Sequence, residues 1–175
     1  MKHTSLIHVG GLAAMVGGLA YTALSLLVPF LEPMFFVLLA LAALVAVAAL
    51  HALQRERYGL PGTLASLSVV IGVVLILGSN LGITEGLPWP LPEGIFLAGV
   101  VLAPLGMVAL GIASIATRLL PWWCGAGLIV GGFGFGGPVL VGSFTNLLGG
   151  VAWALVGYGI FRAGKHLPER PSRVR

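Results

Sequence analysis

Four sets of residues in this sequence have types and spacings that chemistry could use. The first is GGFGFGGP, residues 131–138, in which Gly132, Gly134 and Gly137 spell GxGxxG. In a dinucleotide-binding fold such glycines follow a strand and open a helix. An acidic residue about 20 positions on then holds the ribose. Here no strand pattern precedes the glycines and no acidic residue follows at that distance. Gly134-Phe135-Gly136 also has the spelling of a channel filter, but the flanking Thr and Val are missing and nothing suggests a fourfold pore. The segment therefore reads as a helix contact face at Gly131, Gly132 and Gly136, with Gly137-Pro138 as a stop or kink.

The second set is a pair of histidines. His8 lies near the start of the first apolar segment and His51 near the end of the second. Two imidazoles at matched depth on adjacent helices are what a bis-histidine haem needs. Both also sit at the water boundary, where an amphipathic ring is unremarkable, and no carboxylate is placed to orient either one. No cofactor is expected, with a haem or pigment on His8 and His51 kept as the alternative.

The third set is polar: Ser79 and Asn80 at one segment end, and Ser143, Thr145 and Asn146 at the start of another. These residues either cap free backbone groups or line one outward-facing pocket. The fourth is the turn RLLPWWCG, residues 118–125, where Pro121 suits the start of a helix and Cys124 is the chain's single cysteine. Nothing activates that thiol, and one cysteine excludes an intrachain disulfide. CxxC, HExxH and clustered carboxylates are absent, so no metal site is expected. A Ser/His/Asp set at membrane depth is absent too, which leaves hydrolysis without its base and nucleophile.

The elements that must carry these residues follow from composition. The 175 residues are 58% hydrophobic and only 8% charged, against about 25% charged in soluble domains. A soluble fold could not cover its surface with so few charges, so the predicted class is an all-α polytopic membrane protein. Spanning helices need about 20 apolar residues, and six segments meet or approach this: 5–28, 34–53, 63–83, 94–117, 122–141 and 143–162. They form one domain over 1–167, followed by a basic tail over 168–175. With both termini inside, all nine Lys and Arg fall on the inner side, and Glu32, Glu85 and Glu93 fall outside. Lys/Arg bias in short loops sets orientation, which predicts six passages, N-in and C-in. The net charge of +4 does not imply nucleic acid, because the cations are scattered between apolar segments.

No Asp, Glu, Lys or Arg lies at the middle of any span. Ion-coupled transporters, proton pumps and voltage sensors keep an ionisable group there, so those classes are disfavoured. The outer loop TEGLPWPLPEG, residues 84–94, alternates proline and reads as an extended lid or an interfacial anchor. Small residues recur at helical spacing: Gly10 and Gly18, Gly127 and Gly131, Gly132 and Gly136, Gly150 and Gly157. In lipid, close backbone approach supplies helix association. These stripes predict tight packing within the chain, and their number favours a homo-oligomer or a place in a larger membrane complex.

HALQRERYGLPG (51–62) and TRLLPWWCGAGLIVGG (117–132) resemble segments of uncharacterised small multi-pass inner-membrane proteins of high-GC bacteria. The resemblance implies a bacterial inner-membrane protein and brings no catalytic residue with it; the Lys/Arg bias makes both termini cytoplasmic. The resulting expectation is a non-enzymatic structural or accessory subunit, surrounded by lipids and packed against partner helices. The alternatives are binding or transport of a small neutral or lipidic molecule, and a haem or pigment protein.

Overall fold

The computed structural model describes residues 3–27, 32–84, 93–140 and 143–165. All of them are helical except the short turn from Arg118 to Pro121. Among the described residues there are five helices: α1 (His3–Leu27), α2 (Glu32–Thr84), α3 (Glu93–Thr117), α4 (Trp122–Leu140) and α5 (Ser143–Lys165). Four of these contain segments long and apolar enough to cross a membrane: Ser5–Ala23, Val37–Ser79, Gly94–Thr117 and Leu147–Lys165.

The count of five differs from the six separate helices expected. The expected break over 54–62 is not a loop. Gln54, Arg55, Glu56 and Arg57 are good helix formers, and the backbone leaves helical geometry only at Gly59 (φ 57°, ψ −145°). That combination is essentially reserved for glycine. Pro61 follows at once, within the first turn of the next stretch, where a missing N–H costs nothing.

Gly59 reverses the chain. The Tyr58 hydroxyl lies 2.7 Å from His51 Nδ1 and 3.3 Å from Ser66 Oγ. Those two atoms are thus at most 6.0 Å apart (2.7 + 3.3). In an unbroken helix, residues fifteen apart are separated by about 22 Å along the axis. So α2 is a hairpin of two arms, before and after Gly59.

Glycine contacts give the order and direction of packing. A Cβ on Gly10 would lie 2.9 Å from the Val45 carbonyl oxygen, and one on Gly17 would lie 2.6 Å from Ala42 Cβ, so α1 runs antiparallel to the first arm of α2. Gly106 meets Val69, and Gly72 meets Ala103, which sets the second arm antiparallel to α3. Gly111 meets Gly125, and Gly132 meets Met107, joining α3 to α4. Gly127 faces Val156, and Gly131 faces Trp153, joining α4 to α5. Gly18 faces Gly150 and Ala154, and Gly11 faces Gly157 and Phe161, closing α5 back onto α1. The helical rods therefore alternate in direction around a closed ring.

Alternation sorts the charges. Arg55, Glu56, Arg57, Arg118, Arg162 and Lys165 all fall at the end that holds the Gly59 reversal and the 118–121 turn. Glu32 and Glu93 begin α2 and α3 at the opposite end. The interior mixes small residues such as Ala40, Ala49 and Ala103 with bulky ones such as Trp153, Leu50, Met107, Leu110 and Ile160, all buried. Outward faces carry bulky branched residues such as Leu12, Val16, Leu41, Ile71, Val101 and Leu105. A bundle whose outer faces are aliphatic along with its core is unlike a soluble bundle, whose outer faces are polar, and suits a surround of hydrocarbon.

The segment 131–138 is helical throughout: α4 continues through Gly137 and Pro138 to Leu140, so Gly137 does not end it. Gly131 and Gly132 serve different neighbours, α5 and α3. The side chains around Gly136 lie outside the described residues, as do residues 85–92 of the outer loop and the tail from 166 onward.

Candidate functional site

The buried stripe of the first α2 arm runs through Leu39, Ala43, Val47 and Leu50, all apolar. One turn later the same face continues as Gln54 and then Tyr58, also buried, with half-buried His51 beside it. The apolar stripe thus becomes polar without leaving the interior. The second arm contributes Ser66 and α3 contributes Ser114, both buried.

These five side chains form two separate sets of hydrogen bonds beside the reversal. Tyr58 Oη sits between His51 Nδ1 (2.7 Å) and Ser66 Oγ (3.3 Å). Ser66 Oγ also reaches the Gly62 carbonyl at 2.9 Å, one turn back in its own helix. The Tyr58 ring covers Gly62, leaving no room for a side chain there. The second set joins α2 to α3: Ser114 Oγ donates to Gln54 Oε1 at 3.0 Å, and Thr117 Oγ1 donates to the Ser114 carbonyl at 2.9 Å. Gln54 is fully buried, and its Nε2 has no hydrogen-bond partner among the described residues. A buried amide left half-paired costs about 1–3 kcal/mol.

Beyond this cluster, α3 ends at Thr117 and Arg118 takes a left-handed conformation (φ 53°), its N–H reaching the Ile115 carbonyl at 3.3 Å. That position closes helices and is usually glycine. Pro121 precedes α4, and its carbonyl accepts from the Cys124 N–H at 2.9 Å. The expected helix start after Pro121 is thus realised at Trp122. Cys124 is buried against Gly159.

The residues singled out from sequence are placed as follows. Ser79 is buried on the second α2 arm, at the end away from the cations, and its Oγ has no hydrogen-bond partner among the described residues. The side chains of Asn80, Ser143, Thr145 and Asn146 lie outside the described residues, although the backbone puts all four at that same end. His8 packs edge-on against Phe161 (ring centroids 5.5 Å) and beside Gly164, on α5. His51 is held instead by Tyr58. The two rings thus have different partners, on different elements. Among the described residues there is no group of three or more His, Cys, Asp or Glu that could hold a metal.

Gln54, Tyr58, Ser66 and Ser114 do not stand out in the sequence. Gln54 and Tyr58 read there as part of a polar connector, and the two serines as ordinary helix residues. The available signal was the spacing: 39, 43, 47, 50, 54 and 58 are one continuous face. No protein-family model, curated protein or solved structure matches this chain.

Proposed function

We propose that this protein is a six-pass, non-enzymatic integral protein of a bacterial inner membrane, with both termini and the Gly59 reversal in the cytoplasm, acting as a structural or accessory subunit. The orientation rests on the charge sorting: every described Lys and Arg lies at one end of the alternating ring, the end that the Lys/Arg bias assigns to the cytoplasm. Two passages by α2 fit its length. Its apolar segment of 43 residues would reach about 65 Å if straight, twice the 30 Å hydrocarbon core.

One observation carries the functional reading. Glycines of α1, α3, α4 and α5 make close contacts inside the chain, and the outward faces are lined with bulky aliphatic residues. What the bundle offers its surroundings is therefore its outer surface. A homo-oligomer or larger complex would form through those aliphatic faces rather than through spare glycine stripes. Purification in mild detergent, with mass measurement of the eluted particle, tests this. A stable assembly with a second copy or another membrane protein supports it, and a lone monomer from every gentle extraction overturns it.

A second reading, binding of a small neutral molecule, is favoured by the buried donors Gln54 Nε2 and Ser79 Oγ. Replacing Asn80 and Asn146 by Leu tests the end near Ser79, and Gln54→Leu tests the other. Unchanged binding or flux of a candidate solute in all three variants would remove it. The haem or pigment alternative is decided by a visible absorption spectrum of the purified protein.

A further inference from the structure

The outward stripe of α5 is graded along its length. Leu148, Val151 and Leu155 are exposed, Tyr158 follows at 46% exposure, and Arg162 and Lys165 end the helix, both exposed. The spacing of 3, 4, 3, 4 and 3 residues keeps all six on one face. From Leu148 to Tyr158 the helix rises about 15 Å, half the thickness of a 30 Å hydrocarbon core. The face thus passes from aliphatic to phenol over half the hydrocarbon core, and the double cation follows within about 10 Å beyond it.

Two contacts hold the polar end of that face in place. The Trp123 ring stacks on Tyr158, with centroids 6.3 Å apart and planes 20° from parallel. The Lys165 ammonium lies 4.7 Å from the centre of the Phe161 ring, which is itself backed by His8. A cation steadied on an aromatic ring keeps its remaining N–H groups for an anion. The outward stripe of α3, which packs between α2 and α4, ends differently: it runs through Leu105, Ile112 and Ile115 and meets a single cation, Arg118, beyond the helix.

We propose that this face is a specific seat for one anionic phospholipid of the cytoplasmic leaflet, with its phosphate between Arg162 and Lys165 and an acyl chain along Leu155, Val151 and Leu148. The choice of a lipid over a protein helix follows from the gradient itself, since a partner helix would have to match aliphatic, aromatic and doubly cationic surface at successive depths. The choice of an anionic headgroup follows from charge: among the described residues the only carboxylate at this end is Glu56, in α2. The inference deepens the membrane reading above and rests on it.

Native mass spectrometry of the detergent-purified full chain, after incubation with equimolar phosphatidylglycerol and phosphatidylcholine, tests the seat. Wild type is expected to retain phosphatidylglycerol in preference. Each basic residue at an anionic lipid surface is worth roughly a fivefold preference, so R162Q/K165Q should cut that preference by roughly 25-fold. R55Q/R57Q, which removes two cations of the same end but from the α2 reversal, should keep it. Equal retention of the two lipids by wild type, no loss in R162Q/K165Q, or an equal loss in R55Q/R57Q would each overturn the proposal. So would a particle of twice the chain mass whose subunits stay together and exclude added lipid, since a second copy would then cover the face. Alkaline carbonate extraction of the expressing membranes separates the two failures: extraction into the soluble fraction refutes the membrane reading itself, whereas retention in the pellet leaves only the seat at issue.

Discussion

Replacing Gly18 by alanine probes the closure of the ring between α1 and α5. An added Cβ would sit 2.6 Å from the Ala154 nitrogen and 3.2 Å from Ala154 Cα, and would also meet the Gly150 carbonyl oxygen. Ordinary contact begins near 3.4 Å, so the overlap with the nitrogen is about 0.8 Å (3.4 − 2.6). All three neighbouring atoms are backbone, so no rotamer change relieves the clash and the two helices must move apart. Overpacking of a tight core costs about 1–3 kcal/mol, and an unyielding backbone neighbour belongs in the upper part of that range. Alanine is also a better helix former than glycine by about 1 kcal/mol. The net expectation for G18A is a loss of about 1–2 kcal/mol. Gly94 supplies the control: it is also helical, but a Cβ there meets nothing within 4 Å. G94A should lie within about 0.5 kcal/mol of wild type or gain slightly from helix propensity. Reversible unfolding in mixed micelles, titrated with a denaturing detergent and followed by Trp fluorescence, measures both. If G18A matches wild type, or if the two variants shift equally, the close approach of α1 and α5 is wrong.

Three further outcomes follow from the same geometry. Gly59→Ala should destabilise by about 1–3 kcal/mol with no steric neighbour involved, because its φ of 57° and ψ of −145° suit only glycine; the same titration reads it. Ser114→Ala removes the partner of Gln54 Oε1 and should cost about 1–3 kcal/mol, whereas Gln54→Leu combined with Ser114→Ala should recover most of that loss, since removing both polar partners is cheaper than orphaning one. Arg118→Gly should stabilise the protein by about 1 kcal/mol in a thermal melt by releasing the left-handed φ of 53°, and a loss of stability there would show that the guanidinium makes a contact worth more than the strain.

The all-α architecture was legible because composition and span length are global signals that survive local error. The sorting of charges was legible for the same reason, since basic residues recur at intervals of about two spans. The reversal in α2 was misjudged in kind. Gln54 to Arg57 look like a loop when scored for polarity, but their backbone preference is helical, and one glycine suffices to turn the chain. The glycine stripes were visible, but which helix each one touches was not. Gly131 and Gly132 are adjacent in sequence and still serve α5 and α3 respectively, because neighbours in a helix point about 100° apart. The Gln54–Ser114 pair was hidden because its members are 60 residues apart, and nothing local in either segment marks them as partners.

The central claim is that α2 crosses the membrane twice, with the Gly59 reversal inside, and that α3 crosses back to the same side. Single cysteines at Glu32, Arg57, Glu93 and Arg118, each in a Cys124→Ala background, can be tested with a membrane-impermeant maleimide on intact and permeabilised cells. Labelling of positions 32 and 93 on intact cells, with 57 and 118 labelled only after permeabilisation, is the expected pattern. Labelling of 57 on intact cells, or of 32 and 93 from opposite sides, would contradict it.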